Sequence, residues 1–221
     1  MDLDRRILEP ELMLDPEQVR AYAQADFEEP HSRVLALFQE AFPGPLQGCL
    51  LDLGCGTGDI TFRFARAYPE VQVIGVDGSP QMLRLALELC PPELAGRVRF
   101  VEGLVPHPPV PRGTYAAIVS NSLLHHLHDP AALWSTLRWL GAPGTRVLIV
   151  DLRRPASTEL AREMVERYAA GEPEILRRDF YNSLLAAFRV EEVAGQLSRA
   201  GLGHLQVRPV GDRHLAVWGE L

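Results

Sequence analysis

One segment, Leu50-Leu51-Asp52-Leu53-Gly54-Cys55-Gly56-Thr57-Gly58-Asp59, constrains the fold of this 221-residue chain more than any other. An apolar run passes directly into alternating glycines and then into a helical pattern, which is the order strand, turn, helix. Glycines 54, 56 and 58 admit backbone angles closed to other residues. They also let a ligand approach the main chain without meeting a Cβ. The spacing is GxGxG. A dinucleotide fingerprint needs Gly or Ala where this chain has Asp59, because the helix must pack closely beneath a pyrophosphate. A carboxylate there repels two phosphates, so the loop disfavours NAD and NADP. A Walker loop is excluded as well, since all 22 basic residues are arginine and its lysine is missing. The same absence removes Schiff-base catalysis.

Around this segment, apolar runs alternate with amphipathic stretches. Strands are expected at 49–53, 72–77, 98–102, 115–120, 146–151, 204–210 and 215–218. The first five are nearly continuous apolar runs, as strands covered on both faces are. Helices are expected at 59–67, 79–89, 129–140 and 190–200, with Asp59, Ser79 and Asp129 as cap residues. Only Gly211, Asp212 and Arg213 and their neighbours separate the last two strands, too few for a parallel crossover, so these must form an antiparallel hairpin. The fold class that follows is α/β: a doubly wound, mostly parallel seven-stranded sheet with an antiparallel C-terminal hairpin, occupying 46–221 as a Rossmann-like core. Residues 1–45 read as two polar-faced helices, near 16–27 and 30–41. Residues 155–187 form a helical insert. Both extras flank the carboxyl edge of the sheet, where ligands bind, and are expected to form a helical lid.

Composition removes several functions. With 22 basic and 29 acidic residues the net charge is −7, which repels phosphate backbones and argues against a nucleic-acid partner. No run approaches the roughly 18 apolar residues of a membrane span. The first residues lack the apolar core of a secretory signal, so a cytoplasmic location is expected. Cys49, Cys55 and Cys90 form no CxxC pair, which argues against disulfide scaffolding or a cysteine-rich zinc site. Cys90, before Pro91, reads as a helix-end residue.

The second chemical signal is Asp77, which ends the strand in Val73-Ile74-Gly75-Val76-Asp77-Gly78-Ser79. A carboxylate at that strand tip accepts both hydroxyls of a ribose. With Asp52 beneath the loop to face an ammonium group, the pair describes a pocket for a nucleoside carrying an amino-acid tail. At this point the sequence resembles the class I S-adenosylmethionine-dependent methyltransferases. LDLGCGTG is similar to that family's first motif and GVDGSPQML to its acidic-tip motif. SNSLLHHLHDP and RVLIVDL fit its fourth and fifth strands. The resemblance covers about residues 46–151 and is nearest the UbiE-like small-molecule branch. It implies S-adenosylmethionine as cofactor and S-adenosylhomocysteine as product. It places Asp52, Gly54, Cys55, Gly56, Gly58, Asp77, Gly78, Met82, Gly103, Leu104 and Asn121 around the cofactor. Relatives often carry Gly-Asp after the third strand, where the acid holds adenine. Here Leu104 replaces it, which leaves adenine to backbone groups of Gly103 and Leu104 and to apolar packing on Met82 and Leu104.

Methyl transfer from a sulfonium is an in-line displacement that needs alignment above all. An acidic acceptor also gains from a base, and histidine suits that task near neutral pH. The fourth strand leads into His125 and His126, and the adjacent fifth ends in Asp151, whose carboxylate would orient and charge one imidazole. His125 is the better base candidate, while either histidine could equally position the loop or the methionine tail. His125, His126, His128 and Asp129 are too crowded on one turn for a tetrahedral centre, so no metal is expected. Asn121 is followed by Ser, without the Pro-Pro-aromatic run of enzymes that methylate nucleic-acid amines. Tyr22, Phe180, Tyr181 and Asn182 are candidates for the lid and acceptor pocket. Arg153, Arg154, Arg177 and Arg178 are candidate clamps for an acidic group. The function expected is methyl transfer to a small-molecule acceptor; the alternative is a silent cofactor-binding regulator or sensor. The lid helices permit a homodimer.

Overall fold

Side-chain alternation along the central strands sorts the core into two apolar layers. In a computed structural model describing residues 3–113 and 115–221, seven strands form one sheet in the order β3-β2-β1-β4-β5-β7-β6. They are β1 (Gly48–Leu53), β2 (Val71–Asp77), β3 (Val98–Glu102), β4 (Tyr115–Asn121), β5 (Arg146–Leu152), β6 (Gln206–Val210) and β7 (His214–Glu220). The first five pair in parallel, while β7 runs antiparallel to both β5 and β6. Leu51, Leu53, Ile118, Val147 and Ile149 point to one layer. Leu50, Ala117, Val119, Leu148 and Val150 point to the other. Successive residues of a strand face opposite sides, so a continuous apolar run is what a doubly covered strand requires.

The helices are α1 (Pro16–Gln24), α2 (Glu28–Ala41), α3 (Asp59–Ala67), α4 (Pro80–Leu89), α5 (Ala131–Leu140), α6 (Thr158–Tyr168), α7 (Glu174–Ala186) and α8 (Val190–Arg199). On one layer, α5 and α8 contribute Leu133, Trp134, Val193 and Leu197, and the buried indole of Trp134 donates to Gln196 at 2.9 Å. On the other, α2 and α3 contribute Val34, Leu37, Phe38 and Phe64. Of the region expected to be lid at 1–45, α2 is therefore built into the core. The covering part is residues 3–24. A third cluster joins Leu3 to α6 and α7 through Ala161, Val165, Leu184 and Leu185.

Two caps differ from the sequence expectation. The N-cap of α3 is Gly58, at φ +87°, and Asp59 is the first helical residue. A side chain at 58 would run into Phe62 and Phe100, so only glycine fits, and the Asp59 carboxylate is released for other partners. The N-cap of α5 is Pro130; Asp129 instead accepts the Ala131 amide at 3.0 Å. Ser79 caps α4 as expected, accepting the Met82 amide at 3.3 Å. The strand order reverses beside β1, between its excursions to β2 and to β4. Crevices open at the carboxyl ends of such switch points.

Candidate functional site

Four strand tips converge on that crevice: Asp52 and the glycine loop from β1, Asp77 from β2, Asn121 from β4 and Asp151 from β5. The glycine loop is braced against β2, because the amides of Gly54 and Cys55 both donate to Val76 O, at 2.8 and 3.0 Å. Gly54 and Gly56 have φ of +74° and +51°. No atom lies within 4 Å of where a Cβ would project from Gly56, which leaves an open cradle above the loop. Asp77 spans both sides of it, taking the Gly56 amide on Oδ2 and the Ser79 amide on Oδ1, each at 2.8 Å. Burial raises its pKa and these amides hold it back. Each carboxylate oxygen keeps capacity for a further donor.

The remaining loop candidates divide by direction. The Cys55 thiol is buried, against the Cα face of Gly75, so Cys55 can meet a ligand only through its main chain. The Gly103 amide is already donated to Asp77 O at 3.0 Å, which removes one of the two backbone groups expected to hold adenine. Leu104 is 58% exposed and lies with Leu12 over Gly78, where only a residue without Cβ leaves room. Met82 is buried in the first turn of α4. The N-terminal segment thus reaches the side of the cradle where adenine was expected, and Ser79 Oγ also donates to Met13 O there, at 2.8 Å.

Asp52 is buried under the loop and accepts the Thr61 hydroxyl at 2.6 Å. Burial is the main cause of a pKa raised to about 7; Thr61 opposes it, and Asp77 and Asp59 push it further. The phenol of Tyr22 faces the same three carboxylates, and burial with their charges pushes it to about 12. A carboxyl with a folded-state pKa above its unfolded value stabilises the fold at low pH, and that contribution is lost as pH rises from about 4 through about 7. Asp52→Asn keeps an acceptor for Thr61 and does not titrate. Wild-type melting temperature should therefore fall relative to Asp52→Asn between pH 5 and pH 8. A difference that stays constant over that range, in thermal melts at matched ionic strength, would refute the assignment.

Beside the loop lies a cavity of about 430 Å³, whose wall includes Tyr22, His31, Asn121, His125, His126 and Phe180. At the tip of β4, Ser122 adopts φ +56°, the sole non-glycine residue in the left-handed region among those described. Its amide donates to Val150 O at 2.9 Å, and this turn throws the following 3-10 helix, Leu124–His126, across the tip of β5. Asp151 receives it on both oxygens: the Leu124 amide on Oδ2 at 2.7 Å and His125 Nδ1 on Oδ1 at 2.6 Å. His125 Nε2 is left facing Glu9 Oε1 at 3.5 Å. Burial alone would lower the His125 pKa, but the charge and hydrogen bond of Asp151, with Glu9, raise it on balance. His126 has its Nδ1 3.2 Å from the same Glu9 oxygen, and burial beside His125 lowers its pKa to about 3.

Glu9 is the residue that sequence reasoning missed. It rides on an extended strap, residues 3–14, held by Arg6, whose guanidinium donates to His125 O at 2.6 Å, Leu127 O and Ala186 O. Ser183 Oγ donates to Glu9 Oε1 at 3.1 Å, and burial raises the Glu9 pKa. A lone glutamate in a polar leader carries no periodic or spacing signal. His31 was also unassigned; it lines the cavity and pairs with Asp59 at 2.7 Å.

Other candidates lie elsewhere. The cavity face of α7 carries Leu176, Asp179, Phe180 and Ser183, which share one helical face. Tyr181 falls on the next face and packs on the Leu3 cluster, with Arg162 over its ring, while Asn182 is exposed. Neither lines the cavity. Three of the four arginines are tied to the fold, Arg153 to Asp212 O, Arg154 to Glu192 and Arg177 to Glu166, while Arg178 is exposed and reaches only its neighbour Asp179, at 3.7 Å. His128 is exposed and contacts Glu9 O through Nε2 at 2.8 Å, and Asp129 is exposed; neither joins His125 and His126. Among the described residues no helix is long and apolar enough to cross a membrane.

The profile described as a methyltransferase domain matches residues 50–144. The chain is 35% identical over 131 residues to the ubiquinone/menaquinone biosynthesis C-methyltransferase UbiE of Syntrophotalea carbinolica, which covers 58% of this chain and 53% of that protein. It is 34% identical over 95 residues to the magnesium-protoporphyrin O-methyltransferase of Rhodobacter capsulatus, covering 42% of each. The chain thus spans about half the length of the curated relatives it matches. The plantazolicin methyltransferase BpumL, solved with S-adenosylhomocysteine, superposes with a TM-score of 0.69 at 15% identity over 93% of this chain and 91% of that one. At that identity the likeness concerns the fold.

Proposed function

We propose that this chain is a class I S-adenosylmethionine-dependent methyltransferase, as its match to a methyltransferase domain over residues 50–144 supports, and that it transfers the methyl group of S-adenosylmethionine to a small-molecule acceptor. The observation that carries the reading is juxtaposition: Tyr22, in the wall of the cavity that holds His125, also faces Asp52 and Asp77, the carboxylates that flank the glycine cradle. Asp77 would take the ribose hydroxyls. Asp52 would take the ammonium of the methionine tail, and the amides at the start of α3, which have no side-chain cap, would face its carboxylate. Gly78, Met82 and Leu104 would pack on adenine. Asn121 and Ser122, which line the cavity at the tip of β4, would stand beside the methyl group.

Transfer then needs the acceptor in line with the sulfonium, which the cavity wall supplies by shape. A volume of about 430 Å³ suits a compact organic molecule, and the net charge of −7 disfavours a nucleic-acid substrate. His125 Nε2 would receive the acceptor's proton, with the imidazole fixed by Asp151 through Nδ1. The named relatives methylate carbon in one case and oxygen in the other. The acceptor atom is therefore a property of the cavity rather than of the cradle.

Thermal unfolding with S-adenosylmethionine, S-adenosylhomocysteine, NAD and NADP in parallel tests the cofactor. A ligand at about 100 times its Kd adds about 2.7 kcal/mol, which raises the midpoint of a chain this size by roughly 5–10 °C. The expected result is a rise with the two sulfur nucleosides alone. A rise with NAD or NADP alone would overturn the reading, as would failure to form S-adenosylhomocysteine with any acceptor in a broad screen.

A further inference from the structure

We propose that Glu9, His125 and His126 form a site for one divalent transition metal ion, zinc by its donor chemistry, with an open coordination position toward the cavity. One oxygen, one nitrogen and one nitrogen from these three side chains all lie within 4.8 Å of one another. Glu9 Oε1 is 3.5 Å from His125 Nε2 and 3.2 Å from His126 Nδ1. Donors bound to one zinc at roughly 2.0–2.2 Å in tetrahedral geometry stand roughly 3.3–3.6 Å apart. The two separations from Glu9 are already close to those of such a shell, and the two histidine donors lie within 4.8 Å of each other.

Three further observations favour an ion over simple pairing. His126 Nδ1 is buried and has no hydrogen-bond partner among the described residues, although Glu9 Oε1 is so near; the contact has the distance of a hydrogen bond without its alignment. His125 donates its other ring nitrogen to Asp151 at 2.6 Å, the carboxylate–histidine arrangement that fixes the tautomer of a metal ligand. Glu9 is itself held by Ser183 Oγ at 3.1 Å, and Arg6, the nearby cation, spends its guanidinium on carbonyl oxygens. Two imidazoles and a carboxylate are a donor set of zinc sites that keep one position free. His128 and Asp129, which made the turn look overcrowded, point elsewhere, and Glu9 arrives from the strap instead.

Such an ion would supply a Lewis-acid contact for an oxygen or nitrogen of a molecule in the cavity. Metal and proton compete for the same lone pair of His125, so the base role belongs to the metal-free protein. The proposal does not depend on methyl transfer.

Chelator-treated protein should be dialysed against zinc alone and its metal content measured, with cobalt as a visible-absorption probe of the same site. The expected result is about one zinc per chain. Glu9→Gln and His126→Gln should each weaken binding at least tenfold while leaving the metal-free melting midpoint near wild type. Asp151→Asn should weaken it roughly 10–100-fold, and His204→Gln, on the exposed far end of the sheet, should not change it. Less than about 0.1 zinc per chain would overturn the proposal and leave the methyl-transfer reading intact. Full binding retained in both Glu9→Gln and His126→Gln would also overturn it, by placing the ion elsewhere, for instance on the free thiols Cys49 or Cys90.

Discussion

Asp77→Ala is expected to weaken S-adenosylmethionine binding by roughly 100-fold or more. On the proposed function the substitution would delete two charge-assisted hydrogen bonds to the ribose, each worth about 1.5–3 kcal/mol. It also frees the Gly56 and Ser79 amides that the carboxylate holds at 2.8 Å. Both amides lie at the crevice, where water replaces the lost acceptor, so the fold should lose only about 1–2 kcal/mol. Asp77→Asn keeps an acceptor without the charge, and its loss should be smaller, about tenfold. Calorimetric titration of the three proteins at one pH decides the matter. A loss below about fivefold for Asp77→Ala would mean that the cradle holds the nucleoside by other groups.

Replacement of His125 should act on rate rather than on cofactor affinity. Removing a positioned base lowers turnover by roughly 10²–10⁴-fold, whereas most cofactor contacts proposed above lie on the glycine loop, β2, Leu104 and the first turns of α3 and α4, with only Asn121 and Ser122 near His125. His125→Ala also strips a buried carboxylate, Asp151, of its side-chain partner, at a cost of about 3–5 kcal/mol in stability. His125→Asn separates the two effects, because its amide nitrogen can still donate to Asp151 while accepting no proton from an acceptor. Turnover should fall in both variants, measured on chelator-treated protein with an acceptor found by screening. The Kd for S-adenosylmethionine should stay within about threefold. Rates near wild type in His125→Asn would assign His125 to holding the turn.

Much of this was readable from the chain. The strands were legible because burial on both faces demands unbroken apolar runs such as Val147–Val150, and the two layers now show where each alternate residue goes. The neighbouring positions of β4 and β5 follow from the fold class, so the meeting of His125 with Asp151 could be anticipated. Helix phase could not: without knowing which side of α7 met the sheet, Tyr181 and Asn182 looked as eligible as Asp179 and Ser183. Nor could the inward turn of the Cys55 thiol be read, because a loop's side-chain directions depend on angles that the glycines leave free. Glu9 was hidden most completely. Its partners are side chains more than a hundred residues away, and nothing local marks the strap as structured.

The strap has a consequence for the order in which the molecule is assembled. Arg6 bonds to Ala186 across a separation of 180 residues, and Glu9 to Ser183 across 174. Contacts of such long range close large loops and come at a high entropic cost until their docking surface exists. That surface is itself composite, drawn from the turn after β4, the tip of β5 and the insert. Residues 3–14 must therefore wait until the segments up to Ala186 are in place. The sheet can form with the strap adrift, and the cavity wall is complete only when the strap is laid across the turn after β4 and the end of α7.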